Sequence, residues 1–228
     1  MAASPSLYRR RRFRDAPFTF VQGWVERFPF LGGAKVPLPE WRREMMLANR
    51  AMLDDADEYL IITEDASLAY DLCATRVDPW PLWQNVCAHL GLSVRWHVRN
   101  GADVGACLDL CRVYLALQTP RLVWLDSDAR LRARPQIDMR EHRPHLYRRG
   151  PLVAFYSGIQ CEAVSSFWRA SLRALAGGVE QSKWLPTALR LNDLNAGGPW
   201  PAFSEEYVVH HFRGTGVRRW RMRTRAGR

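Results

Sequence analysis

The sequence predicts one α/β domain with a mostly parallel central sheet flanked by helices, and three observations lead there. Short β-rich runs alternate with longer stretches whose apolar residues recur at helical spacing. The strongest β run, Arg121 to Leu125, reads as a buried strand and ends in a cluster of carboxylates. The chain has 228 residues, 47% of them hydrophobic, enough for one sizeable core but not for a second independent domain.

The elements follow in order. Residues 1–16 form a basic leader carrying Arg9, Arg10, Arg11, Arg12 and Arg14, expected to be disordered, and the folded domain is expected over residues 17–212. Phe18 to Val25 alternates and is rich in β-formers, so it is the first strand. Gly32, Gly33, Pro37 and Pro39 then break the chain. Glu40 to Leu53 places Trp41, Met45, Leu47 and Met52 at helical spacing, and Glu58 to Thr63 is a short β-rich run bounded by charge. This β-α-β order suggests a parallel sheet.

Pro79 and Pro81 mark a turn or helix start, Leu82 to Leu90 is predicted helical, and Ser93 to Val98 is predicted as a strand. In the helix expected from Gly101 to Leu117, Val104, Leu108, Cys111 and Leu115 form the apolar stripe. Asp109 and Arg112 then lie three apart on a neighbouring face. Thr119-Pro120 ends that helix and Arg121 to Leu125 follows. Pro151 to Ser157 is a further strand, Glu162 to Leu175 a helix stopped by Gly177-Gly178, and Asn192 to Pro201 a loop. Tyr207 to Phe212 is the last strand, and an Arg-rich tail occupies residues 213–228.

Composition narrows the function classes. The longest apolar runs, Leu152 to Tyr156 and Tyr59 to Ile62, fall far short of the roughly 20 residues of a membrane-spanning helix. No apolar signal-peptide core follows the basic cluster. A soluble protein of the cytoplasm is expected, with peripheral contact to the inner face of a membrane as a variant. Five cysteines without a CxxC pair suit a reducing compartment. Cys107 and Cys111 share a helix face, where two buried small hydrophobes are a simpler reading than a metal site. The net charge of +10 favours phosphates, on nucleic acid, on an anionic membrane surface or on a nucleotide. Only Lys35 and Lys183 of the 33 basic residues are not Arg, a skew that a GC-rich genome produces without selection for binding.

The chemistry centres on Leu122-Val-Trp-Leu-Asp-Ser-Asp. Carboxylates at the C-terminal end of a strand stand where open α/β sheets place ligands. Two of them one residue apart, Asp126 and Asp128, can hold Mg²⁺ or Mn²⁺ and leave positions open for diphosphate oxygens. Such a metal would stabilise a departing nucleoside diphosphate. Taken alone the tripeptide also matches an acidic surface turn.

A wider stretch, Leu108-Asp109-Leu110-Cys111-Arg112 through Leu122-Val-Trp-Leu-Asp126-Ser-Asp128, resembles the DXD-containing sugar-binding region of the Och1-like glycosyltransferases, a pattern shared by clostridial glucosylating toxins. Asp109, Arg112 and the paired aspartates match in order and spacing, while Leu108 replaces the usual Ser and Gln118-Thr119-Pro120 replaces a Gly-Gly turn. Val21-Gln22-Gly23-Trp24 is similar to the first-strand motif, without its His. Gly198-Pro199, His210-His211 and Trp220 are similar to the closing elements. The resemblance implies a GT-A-like (Rossmann-like) fold, a nucleotide-sugar donor of the UDP or GDP type, Mn²⁺ or Mg²⁺, and retention at the anomeric carbon. It further implies that Trp24, Asp109, Arg112 and Asp126 contact the donor and that Asp126 and Asp128 bind the metal. His210 or His211 is a candidate third ligand, and only one of two adjacent strand residues can face the metal. The acceptor, whether glycan, lipid or protein, has no legible motif.

Each residue has a plainer reading beside this one. Asp109 and Arg112 can be an i,i+3 surface pair, Trp24 a core tryptophan, and either His a packing residue. Two other functions use similar features. A haloacid-dehalogenase-type phosphatase also ends an apolar strand in Asp-x-Asp and would use Asp126 as nucleophile, but its motif sits near the N-terminus. A basic nucleic-acid-binding protein would suit the Arg-rich ends, although no binding motif accompanies them.

Overall fold

The computed structural model describes residues 17–26, 37–95, 104–138, 140–147, 153–177, 201 and 203–210. The leader 1–16, the tail 213–228, Gly198-Pro199, His211 and Trp220 lie outside them. The described chain builds a six-stranded sheet with helices on both faces, the α/β class and mostly parallel sheet that the alternation predicted.

The strands are β1 (Thr19–Gly23), β2 (Glu58–Ile62), β3 (Thr75–Val77), β4 (Leu122–Leu125), β6 (His145–Leu146) and β7 (Ala154–Tyr156), in the spatial order β3-β2-β1-β4-β7-β6. β1 pairs in parallel with β2 and with β4, and β2 in parallel with β3. β7 runs antiparallel to both β4 and β6. A separate two-stranded ribbon joins β5 (Ala129–Leu131) to β8 (Val208–His210).

The helices are α1 (Glu40–Arg50), α2 (Ala66–Asp71), α3 (Pro79–Leu90), α4 (Val104–Gln118) and α5 (Glu162–Ala176). Their distribution follows from handedness. Successive parallel strands β1, β2, β3 step outward in one direction, and right-handed crossovers put α1 and α2 on one face. The connection from β3 to β4 steps back past β1, so α3 and α4 must cover the other. Period-2 alternation of the strands fills both cores. Val21, Ile62, Leu122, Trp124 and Phe155 pack with α3, α4 and α5. Phe20, Tyr59, Ile61, Val123, Leu125 and Tyr156 pack with Met46 of α1 and with Leu68 and Ala69 of α2.

Several boundaries differ from expectation, each for a local reason. α3 begins at Pro79 rather than Leu82, because the Asp78 carboxylate accepts from the Trp80 amide and proline suits the first helical position. Of the strand predicted at Ser93 to Val98, residues 93–95 are not extended and 96–98 lie outside the described residues. The Val94 carbonyl there accepts from the Trp83 indole 3.0 Å away, and the Ser93 hydroxyl accepts from the Arg95 amide. β3 takes the edge position instead. α2, β3, β5 and β6 were not anticipated. β8 lies within the strand predicted from Tyr207, but it pairs with β5 and not with the main sheet. None of the five cysteines is in a disulfide, and burial raises the Cys111 thiol well above its ordinary range, consistent with a packing role. Among the described residues, no helix is long and apolar enough to cross a membrane.

Candidate active site

In an open sheet the crevice lies where the strand order reverses. Here that point is between β1 and β4, whose C-terminal ends are Gly23 and Leu125. A cleft of about 380 Å³ opens there, lined by Trp24, Glu26, Arg42, Arg112, Asp126 and Asp128 among others. The two aspartates and the arginine of the sequence pattern are therefore brought together, with Trp24 on the same cleft.

Asp126 is the most constrained of these residues. Its amide donates to Val153 O (2.8 Å), continuing the β4–β7 pairing one residue past the strand, and its carbonyl accepts from Gln22 Nε2 (3.1 Å). Its carboxylate Oδ1 accepts from Arg112 Nη1 (2.6 Å) and from Trp124 Nε1 (2.8 Å). Residue 23 beside it is glycine, and a Cβ at that position would stand 3.3 Å from the indole ring, so a larger residue there would press on Trp124.

Arg112 also pairs with Asp109, and its guanidinium lies 5.4 Å from the Trp124 ring centre. Burial pulls its pKa below the usual range, while the Asp126 carboxylate pulls it back up, so the cation is held by its partners. Asp109 is buried behind Arg112 and is not among the residues lining the cleft. A direct donor contact by Asp109 thus has less support than its pairing with Arg112.

Asp128 pairs with a residue that the sequence did not single out. Arg42 of α1 places Nη2 3.1 Å from Asp128 Oδ2, and its Nη1 donates to the Ser127 hydroxyl. Its guanidinium lies 4.9 Å from the Trp24 ring centre and 5.0 Å from that of Trp41. Nothing marked it beforehand, since it is one arginine in an Arg-rich chain and its partners lie 85 and 86 residues away.

A buried polar cluster beneath the aspartate turn was also missed. The Asn49 side chain donates to Ala129 O (2.8 Å) and accepts from Leu131 N (2.8 Å), filling the place of a neighbouring strand beside β5. Asn49 and the Tyr59 hydroxyl both donate to Gln22 Oε1, leaving the Gln22 amide nitrogen directed at Asp126 O. A polar residue in an otherwise apolar strand run, Gln22 in β1, was the available signal.

His210 is opposite Ala129 in the β5–β8 register, one residue beyond Asp128, and only its backbone is described. Glu205 and Glu206 are exposed on the turn before β8 and do not line the cleft. Glu26, at the end of the β1 segment, does. Among the described residues, no group of three His, Cys, Asp or Glu side chains is arranged to hold a metal ion.

No family model matches the chain, and no curated protein matches it. Among solved structures it is similar to a mutant form of a transferase, at 11% identity over 84% of this chain and 93% of that one, with a TM-score of 0.48. It is similar also to the PaToxG glycosyltransferase, at 9% identity over 76% of this chain and 66% of that one, with a TM-score of 0.48. A further transferase structure is 12% identical over 85% of this chain and 92% of that one, with a TM-score of 0.47.

Proposed function

We propose that the protein is a metal-dependent glycosyltransferase, moving a sugar from a UDP- or GDP-sugar to an acceptor with retention at the anomeric carbon. The observation that carries this reading is the position of Asp126 and Asp128, which follow a buried strand and line one cleft at the switch point of the sheet. The donor set suits a hard divalent cation, because Mg²⁺ or Mn²⁺ needs only one or two carboxylates beside phosphate oxygens and water. Asp126 and Asp128 would hold it, with His210 or His211 as the third ligand, which substitution of each would test. When bound, the metal supplies positive charge against the negative charge that develops on the diphosphate.

The remaining work falls to residues of the cleft. Arg112 and Trp124 fix the Asp126 carboxylate in one orientation, Trp24 on the cleft wall would contact the base, and Arg42 and Arg112 add cationic charge. The acceptor oxygen bonds to the anomeric carbon as the bond to the diphosphate breaks, and the acceptor proton passes to a diphosphate oxygen. If the product is instead inverted, Glu26 is the carboxylate in the cleft to examine as base.

Hydrolysis of a panel of UDP- and GDP-sugars by the purified chain tests the reading. Turnover should require Mn²⁺ or Mg²⁺ and vanish in Asp128→Asn; full activity in that variant, or in excess chelator, would overturn it. The phosphatase alternative has less support, because its Asp-x-Asp sits near the N-terminus, whereas Asp126 and Asp128 follow β4 in mid-chain.

A further inference from the structure

The cation already paired with Asp128 is a protein side chain. We propose that Arg42 is the resting counter-ion of Asp128, that it competes with the divalent cation for this carboxylate, and that it passes to the diphosphate oxygens when metal and donor bind together. The inference rests on the metal reading above and adds a residue, an order of events and a sign.

Three observations support it. The Arg42 guanidinium is engaged at both terminal nitrogens, one on Ser127 Oγ and one on Asp128 Oδ2, so it occupies the outer side of the same turn that would receive the metal. A dication placed on Asp128 would meet a like charge already in contact with the same carboxylate, and the repulsion between the two weakens the hold of each. Second, the group is held in a way that allows it to change partner. Trp24 and Trp41 both flank the guanidinium, at 4.9 and 5.0 Å, and attraction to a ring face does not depend on which acceptor the N–H groups address. Third, Arg42 is not saturated where it rests: its Nε is buried with no acceptor among the described residues, although the side chain lines the cleft. A diphosphate entering that cleft brings several acceptor oxygens and at least two negative charges, and arginine matches phosphate geometry with two parallel N–H groups.

This exchange predicts opposite effects on two ligands. An arginine that merely braced the turn would, on removal, leave Asp128 less ordered and weaken metal binding. Removing a competing arginine takes its positive charge away from the carboxylate, and metal binding tightens. Arg42→Gln and Arg42→Met, the latter keeping an apolar stem between the two indoles, should each bind Mn²⁺ alone roughly tenfold more tightly than the native chain, as read from free Mn²⁺ by electron paramagnetic resonance. The same variants, at saturating Mn²⁺, should bind UDP roughly tenfold more weakly by calorimetry. Circular dichroism confirms that each is folded. Native chain that binds Mn²⁺ and folded variants that bind it equally or more weakly would overturn the competition while leaving the metal reading standing. Unchanged UDP affinity would overturn the transfer to the diphosphate. If neither native chain nor variants bind Mn²⁺, the metal reading itself fails and takes this inference with it.

Discussion

Arg112 serves two purposes that single substitutions confuse. It neutralises Asp109, which is buried, and it positions Asp126, which lines the cleft. Arg112→Met should lower stability by about 3 kcal/mol, since removing one member of a buried pair strands the other charge. It should also weaken UDP binding roughly tenfold to a hundredfold. In the double variant Asp109→Asn with Arg112→Met, urea unfolding should show most of the stability recovered while the UDP dissociation constant stays raised. Recovery of both would mean that Arg112 only braces the helix. A second residue-scale expectation concerns His145, whose burial depresses its pKa to about 4 despite Glu141 nearby, with Arg143 adding to the depression. Its folded-state value lies below the ordinary 6.5, so its contribution to stability is full above pH 6.5 and is lost as the pH falls from 6.5 towards 4. Between pH 7.5 and 4.5 the native chain should therefore lose about 2–3 kcal/mol more than His145→Gln, measured by urea unfolding. An equal loss in both would remove His145 from the acid response. At this scale Asp126 and Asp128 were legible because strand-end position and spacing are local. Arg42 and Asn49 were not, because their partners are 85 and 80 residues distant in sequence, and Gln22 showed only as a polar residue in an apolar strand run.

The elements that frame the cleft are short, and that explains which of them could be foreseen. Helices of 11 to 15 residues such as α1, α4 and α5 carry a full periodic pattern, whereas β3, β5 and β7 have three residues each and β6 two, too few to show a period. Among the described residues, β5 pairs with no strand of the main sheet. It is held by β8 on one side and by the Asn49 amide on the other, which satisfies both Ala129 O and Leu131 N. Asn49→Ala should cost about 3 kcal/mol, because two buried backbone groups lose partners that water cannot replace in a packed core. A loss below about 1 kcal/mol by urea unfolding would show that β5 is held by β8 alone. The turn after β7 rests on a different device. Gly158 has φ +85°, and a Cβ there would run into the His142 carbonyl oxygen, so Gly158→Ala should destabilise through both backbone strain and a direct clash.

At the scale of the whole molecule, the cleft belongs to both cores at once. Trp124 and Leu108 on its wall belong to the core beneath α3, α4 and α5, while Trp24 packs against the core beneath α1 and α2. Asp126 is bonded through its backbone to β7 and to the polar cluster beneath it. A ligand spanning this cleft therefore grips elements that separate only when the sheet is lost, so its binding should raise the temperature of global unfolding and not merely quieten one loop. A ligand present at a hundred times its dissociation constant contributes about 2.7 kcal/mol. For a chain of 228 residues that corresponds to roughly 5–10 °C. Mn²⁺ with UDP at that excess should produce such a shift by differential scanning fluorimetry, and removing the metal with chelator should erase most of it. Asp128→Asn should unfold near the native temperature without ligand, because its carboxylate is part-exposed and answers to Arg42 rather than to the core. The same variant should lose the metal-dependent increment. A full shift in Asp128→Asn, or none in the native chain, would separate the cleft from the stability of the sheet and require the nucleotide to bind elsewhere.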